Sequence, residues 1–423
     1  MAAATLFSIL LGKSFICIRY CAFISLNCLK FLCRNARGCS RISFRPFSSS
    51  TEAIIIHADG YGEEEEKDDL RSRIFRVRLP KRSATNVLQK WVNDGRDITV
   101  SELRNISRDL SRSQRYKHAL EVSEWMVRHE EFHLSDSDYA VHINLMTKVF
   151  GIDAAERYFE RLPPSAKTSE TYTALLHSYA GLKLTEKAEE FYKKMTEEAN
   201  LSLSAITYNE VMTLYMSVGH LEKVPRIIEE MKLQNIAPDL FTYNLWVSSF
   251  AASLNIDEVR RVLDEMSHDP GCNKSWLRYR KLADIYITSC RLPNSDFNAV
   301  VESEKDIITQ RELISYDFLL ILHGGLGNKD KLDQIWKSLN RTRQKLTGRN
   351  YVCVLSSYLI LGHFKEAGEI IDNWKQSSTS AFNSSMCSKL LETFKDVGLT
   401  EEAKSFHNLL GEKGCNVPVD EMQ

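Results

Sequence analysis

Tyr208-Asn209-Glu210-Val211-Met212-Thr213-Leu214-Tyr215 is the stretch on which the fold turns. Its apolar residues 208, 211, 212 and 215 recur at i, i+3, i+4 and i+7, the spacing of one helix face. After Gly219, placed where one helix should stop and the next begin, a second stripe follows through Val224, Ile227, Ile228 and Met231. Two helices and a glycine turn make a hairpin. The hairpin then returns: Tyr172, Tyr208, Tyr243, Tyr279, Tyr316 and Tyr351 are spaced 36, 35, 36, 37 and 35 residues apart. A period held over so many cycles marks a stacked array of supersecondary units. Each unit is expected to bury its apolar face only against its neighbours.

The positions between the tyrosines support the register. Sixteen residues on sit Ala188, Val224, Val259 and Ala367, small or β-branched residues that let paired helices approach closely. Twenty-three residues on sit Met195, Met231, Met266, Leu339 and Trp374, and eleven on sit Gly219, Gly327 and Gly362. The pattern extends back through Tyr139 and Leu103 and forward through Cys387, giving about nine helix-turn-helix units. Pro238-Asp239 and Pro270-Gly271 supply turn chemistry, and long strand-like alternation is absent. The predicted fold is an all-α solenoid.

The ends differ from the array. Residues 1–51 hold seven Lys or Arg and no Asp or Glu, with many Ser, Leu and Phe. Such an acid-free, Arg- and Ser-containing leader has the character of an organellar transit peptide. Lys13, Arg19 and Lys30 interrupt its apolar run, which argues against a secretory signal or a membrane span. Arg45-Pro46-Phe47-Ser48 resembles a mitochondrial processing site, so 1–47 is read as a mitochondrial transit peptide, ahead of chloroplast and secretion. An acidic linker (48–70), a basic helical cap (71–100), the array (101–414) and a short tail (415–423) follow.

Charge speaks against indiscriminate phosphate gripping. The whole chain is −1; without its +7 leader it would be −8. Residues 71–128 alone carry a local +8, so one end is better suited to nucleic acid than the rest. Outside the leader the cysteines, at 272, 290, 353, 387 and 415, lack paired spacing.

The run from Ala205 to Asp239, followed by Leu240-Phe241-Thr242-Tyr243-Asn244, strongly resembles the pentatricopeptide repeat family. The Thr-Tyr-Asn opening, the late Glu230-Met231 and the closing Pro238-Asp239 carry the resemblance. It covers roughly 101–414 and is most specific at 169–275. What it implies is a right-handed superhelical solenoid of the repeat-only class. Such a solenoid binds single-stranded RNA at one base per unit.

The family's base-contacting positions fall on particular residues here. The Ala205 unit offers Asn209 with Asp239, a pair expected to favour uracil, and the base would sit between Ile206 and Phe241. The Ser169 unit offers Thr173 with Ser204, leaning towards a purine. The Leu240 unit offers Asn244 with Ser275 (or Lys274), leaning towards a pyrimidine. The Tyr, Leu and Met of these helices would be core in any helical array and say nothing about RNA. Later units depart from the pattern, with Arg280, Asp317, Val352 and Ser388 at the reading position. The lysine that many family units carry late in the first helix is matched only by Arg112 and Lys148.

Two motifs are set aside. His129-Glu130-Glu131-Phe132-His133 has zinc-protease spacing, but the register puts it at a frayed helix end. Gly324-Gly325-Leu326-Gly327 lacks the preceding strand of a nucleotide loop. The expected protein is therefore not an enzyme and takes no cofactor, metal or membrane. It is expected to bind single-stranded organellar RNA in the mitochondrial matrix, acting in transcript processing, stability or translation. The alternative is a structural or adaptor component of the mitochondrial ribosome or another ribonucleoprotein, built mainly on contacts with RNA-processing or ribosomal proteins.

Overall fold

The computed structural model describes residues 69–77, 83–129, 131–197, 201–290, 304–342, 344–377, 382 and 384–415, with the side chains of 290, 304–311 and 384 excepted. The leader, the Phe47–Ser48 junction and most of the acidic linker and C-terminal tail lie outside these residues. All regular structure among the described residues is helical. The helices fall into two compact units, divided between Ser202 and Leu203.

The first unit opens with α1 (Leu70–Phe75) and α2 (Ala84–Asn93). Three hairpins follow: α3 (Val100–Arg112) with α4 (Tyr116–Arg128), α5 (Asp136–Phe150) with α6 (Ile152–Arg161), and α7 (Ser169–Gly181) with α8 (Thr185–Glu197). The second unit holds α9 (Ala205–Val218) with α10 (Val224–Leu233), α11 (Leu240–Ala252) with α12 (Ile256–His268), and α13 (Lys274–Cys290). It continues through α14 (Glu304–Gly325) with α15 (Lys329–Asn340), α16 (Gly348–Ile360) with α17 (Phe364–Lys375), and α18 (Ser384–Asp396) with α19 (Thr400–Glu412).

Capping chemistry explains the residue before three of the anchor tyrosines. Thr168 with Thr171, Asp239 with Thr242, and Thr347 with Asn350 form reciprocal capping boxes at the starts of α7, α11 and α16. Each box satisfies two backbone N–H groups that the first turn leaves without partners. At the other end Gly219 closes α9 at φ +87°, a conformation that costs glycine little. Leu254 fills the equivalent turn after α11 at φ +59°, so the turn tolerates a side chain when the hairpin packs tightly enough.

Packing follows the sequence register. Ala155, Ala188, Val224, Val259 and Ala367 are all essentially inaccessible, as are Met195, Met231, Met266, Leu339 and Trp374. Truncating such a methionine or leucine to alanine costs about 2–5 kcal/mol. First and second helices differ in kind. Every residue of α9 from Thr207 to Tyr215 is buried, whereas α10 buries only the stripe Val224, Ile227, Ile228 and Met231. α9 is thus covered on all sides and α10 half-solvated, a contrast that α3 and α4 reverse: α3 buries only Leu103, Ile106, Ser107 and Leu110, while α4 buries most of Ala119 to Met126.

Strict neighbour-only stacking fails at α13. This helix packs on α14, α16 and α18, and the Ser289 hydroxyl meets the Thr393 hydroxyl at 3.2 Å across 104 residues of sequence. The crossing is made possible by Gly324 and Gly325. A Cβ added to Gly325 would lie 2.9 Å from Tyr279 Cα and 3.0 Å from its backbone nitrogen. The glycine cluster set aside as a nucleotide loop is therefore a helix-crossing point. The second half of the Tyr279 repeat falls largely in 291–303, outside the described residues.

Candidate nucleic-acid interface

Asn209 and Asn244 are the fifth residues of α9 and α11, and each turns towards the next first helix. Asn209 Nδ2 donates to Asp239 Oδ1 at 3.3 Å, while the Thr242 hydroxyl reaches Asn209 Oδ1 at 2.9 Å. The amide of one repeat, the residue that closes that repeat and the third residue of the next helix are thus tied together. Asp239 is also the N-cap of α11: its Oδ1 accepts from the Thr242 N–H at 2.7 Å. The Thr242 hydroxyl in turn accepts from the Asp239 N–H at 3.1 Å and lies 2.9 Å from Asp239 Oδ1. Having one proton, it serves either the amide oxygen or the carboxylate at any moment.

Base contact by these amides implies an accessible surface. Instead Asn209 is 1% exposed and Asn244 is 3% exposed. The reason is that a buried amide needs partners, and the adjacent helix supplies them. Asn244 Oδ1 accepts from the Tyr279 hydroxyl at 3.3 Å, and its recorded partner is this tyrosine rather than Ser275. Ser275 lies half-buried in the first turn of α13, where its N–H donates to Asn273 Oδ1 at 2.9 Å. Ile206, Phe241 and Asp239 are half-buried, so the rim above Asn209 is only partly covered. Thr173 is half-buried in α7 of the first unit, and Ser204 is exposed as the N-cap of α9 in the second.

Asp317 occupies the same repeat position in α14 and is as enclosed as Asn209, at 1% exposed. Asn350 Nδ2 donates to its Oδ1 at 2.7 Å and the Tyr286 hydroxyl to its Oδ2 at 2.8 Å. Burial pushes its carboxyl up to about 6, against the opposing pull of those hydrogen bonds and of Arg349. Here the reading position has become a buried polar joint. Thr242 and Asn350 are the residues that sequence reasoning missed as partners. The recurring Thr or Asn directly before the anchor tyrosine was the available signal.

The basic segment is partly neutralised within the protein. Arg71 and Arg112 share Asp109, both at 3.1 Å, and Arg104 grips Asp138 through bonds of 2.8 and 2.6 Å. Those guanidinium groups would have to exchange a carboxylate for a phosphate. The zinc-like motif does not assemble: α4 ends at Arg128, and His129 is extended with Nδ1 2.7 Å from the Trp125 carbonyl oxygen. Glu130 lies outside the described residues.

The chain has relatives among known proteins. The model of the PPR repeat family matches residues 203–252, and that of the PPR repeat matches 170–198 and 241–269. A mitochondrial pentatricopeptide repeat-containing protein of Arabidopsis thaliana is 59% identical over 88% of this chain and 91% of its own length. A second mitochondrial one from that plant is 31% identical over 82% of this chain and 70% of its own length. Among solved structures, the pentatricopeptide repeat protein PPR10 in complex with an 18-nt psaJ RNA element aligns over 79% of this chain and 48% of its own, at 18% identity and a TM-score of 0.38. On the extent and identity of the sequence matches, the chain belongs to the pentatricopeptide repeat family.

Proposed function

We propose that this protein binds single-stranded RNA in mitochondria and acts in the processing, stability or translation of an organellar transcript. Family membership and the acid-free leader support that reading, as do relatives that carry "mitochondrial" in their names. The observation that carries it is the 3.3 Å contact between Asn209 and Asp239, an amide and carboxylate joined across one repeat. An amide so held presents a donor and an acceptor to a base edge, and the pair would favour uracil between Ile206 and Phe241. Because the amide is closed against Thr242 in the free chain, base reading goes with a small opening between α9 and α11. Thr173 and Asn244 would add weaker preferences in the neighbouring repeats. Three base contacts of about 1–3 kcal/mol each select a short site, not a unique transcript. The role is passive: holding a segment against nucleases or refolding. RNA crosslinking with sequencing of bound fragments tests it, the expected result being short uracil-containing sites in organellar transcripts. Recovery of no RNA above background contradicts it.

A second reading is an adaptor within a larger ribonucleoprotein such as the mitochondrial ribosome. The −8 charge without the leader and the enclosed Asp317 favour it. Sedimentation of organelle extract separates the two. A small nuclease-sensitive complex supports the transcript binder, and co-migration with ribosomal particles supports the adaptor.

A further inference from the structure

A cavity of about 590 Å³ opens in the first unit, between α1, the turn joining α3 to α4, the first turn of α4 and the end of α5. Its walls are of two kinds. Arg115, Lys117 and Lys148 bring three cationic groups, and among the described residues that line it there is no carboxylate. Phe75, Val77 and Val149 supply apolar surface, with the Tyr116 ring beside them. Arg115 is fixed in place by donating to the carbonyl oxygens of Phe75, at 2.8 Å, and Val77. Lys148 stands 5.3 Å from the centre of the Tyr116 ring.

Two further features favour an anion in this cavity. α4 is a 13-residue helix whose N-cap, Arg115, provides no side-chain acceptor to its first turn. Tyr116 and Lys117, in that uncapped first turn, line the cavity, so the positive end of the helix dipole lies beside it. In addition, Lys148 is exposed as a residue, yet its surroundings desolvate the ammonium enough to lower its pKa. A bound anion would reverse that penalty. The space is far larger than an inorganic phosphate needs, and its apolar walls would be idle with one.

We propose that this cavity binds a nucleoside phosphate monoester, the phosphate between Lys117, Lys148 and the first turn of α4, the nucleoside against Phe75, Val77 and Val149. A dianionic monoester balances the two lysines, which an internal phosphodiester does not. The site is separate from base reading. On α5 the position equivalent to Asn209 is Ala140, eight residues before Lys148 and so roughly 12 Å away along the helix. A free mononucleotide and the phosphorylated end of a single-stranded RNA present the same chemistry.

The full chain is titrated with a short oligouridylate carrying a 5′-phosphate, with its 5′-hydroxyl twin, and with AMP, adenosine and inorganic phosphate at constant ionic strength. The account expects the phosphorylated member of a pair to bind about tenfold tighter, the effect of one extra strong ionic contact. If AMP shows that advantage over adenosine, the ligand includes free nucleotide; if only the oligonucleotide does, it is an RNA end. Lys117→Gln with Lys148→Gln removes the advantage, whereas Lys117→Arg with Lys148→Arg keeps most of it. Circular dichroism checks that each pair folds, and the wild-type comparison stands whatever the variants do. Equal binding within both pairs overturns the proposal. So does an advantage that survives the glutamine pair, or saturation by inorganic phosphate as tightly as by either phosphorylated ligand. Base preference at Asn209 is unaffected by any of these results.

Discussion

The Tyr286 hydroxyl donates to Asp317 Oδ2 at 2.8 Å, joining α13 to α14 through a carboxylate that is 1% exposed. With Asn350 on the other oxygen, Asp317 accepts two hydrogen bonds, yet burial outweighs them and raises its pKa from 3.8 to about 6.

That shift fixes the sign of a pH effect. Below about pH 4 both the folded and the unfolded chain hold this proton, and ionisation costs nothing. Between 4 and 6 only the folded chain keeps it, so stability falls as pH rises, and above 6 the full cost remains. A shift of this size corresponds to about 3 kcal/mol. Asp317→Asn is expected to be less sensitive to pH than the parent between 4 and 7, and more stable near neutrality. Denaturant melts of both proteins across that range check it.

His142 predicts the opposite slope in the first unit. Burial, aided by Arg128, lowers its pKa from 6.5 to about 4, and its Nδ1 lies 2.9 Å from the Ser123 hydroxyl oxygen. Because the unfolded chain gains this proton first, stability is full above about pH 6.5 and is lost as pH falls towards 4. The loss is about 3 kcal/mol. Replacing it as His142→Gln should flatten that acid limb, read by a spectroscopic probe in residues 83–197.

Gly325 tests the crossing of α13 over α14. The Cβ of Gly325→Ala would meet the Tyr279 backbone at 2.9 to 3.0 Å. Overpacking of about 1–3 kcal/mol should therefore exceed alanine's helix advantage of about 1 kcal/mol. Gly411→Ala is the control: it sits in α19 with nothing within 4 Å, and should stabilise by about 0.5–1 kcal/mol. Thermal unfolding of the two variants should move in opposite directions.

Thr242→Val keeps the shape of the side chain but removes the hydroxyl that reaches Asn209 and accepts from the Asp239 N–H. Leaving two buried polar groups short of a partner costs about 1–3 kcal/mol of stability. If the hydroxyl also orients the amide for a base, the variant should bind RNA with a weaker uracil preference. Unchanged preference would leave Thr242 a capping residue only.

The hairpins were legible because their signals are local. Tyr208, Val211 and Tyr215 follow one helical stripe, Val224, Ile227 and Met231 a second, and Gly219 marks the turn between them. What escaped the sequence depends on which helices meet. The Ser289–Thr393 contact spans 104 residues, and no periodicity announces that α13 reaches α18. Asn209 shows the same limit at the candidate site. Its position in α9 followed from the register, but its closure by Thr242, 33 residues on, depends on how closely α9 and α11 approach.

The central claim is that Asn209, held by Asp239, reads one base. It is tested most directly by selecting bound sequences from a randomised RNA pool with the parent protein and with Asn209→Thr. The account predicts one position where uracil dominates for the parent and guanine for the variant, at a discrimination of about 1–3 kcal/mol. Identical sequence preferences for the two proteins would contradict it.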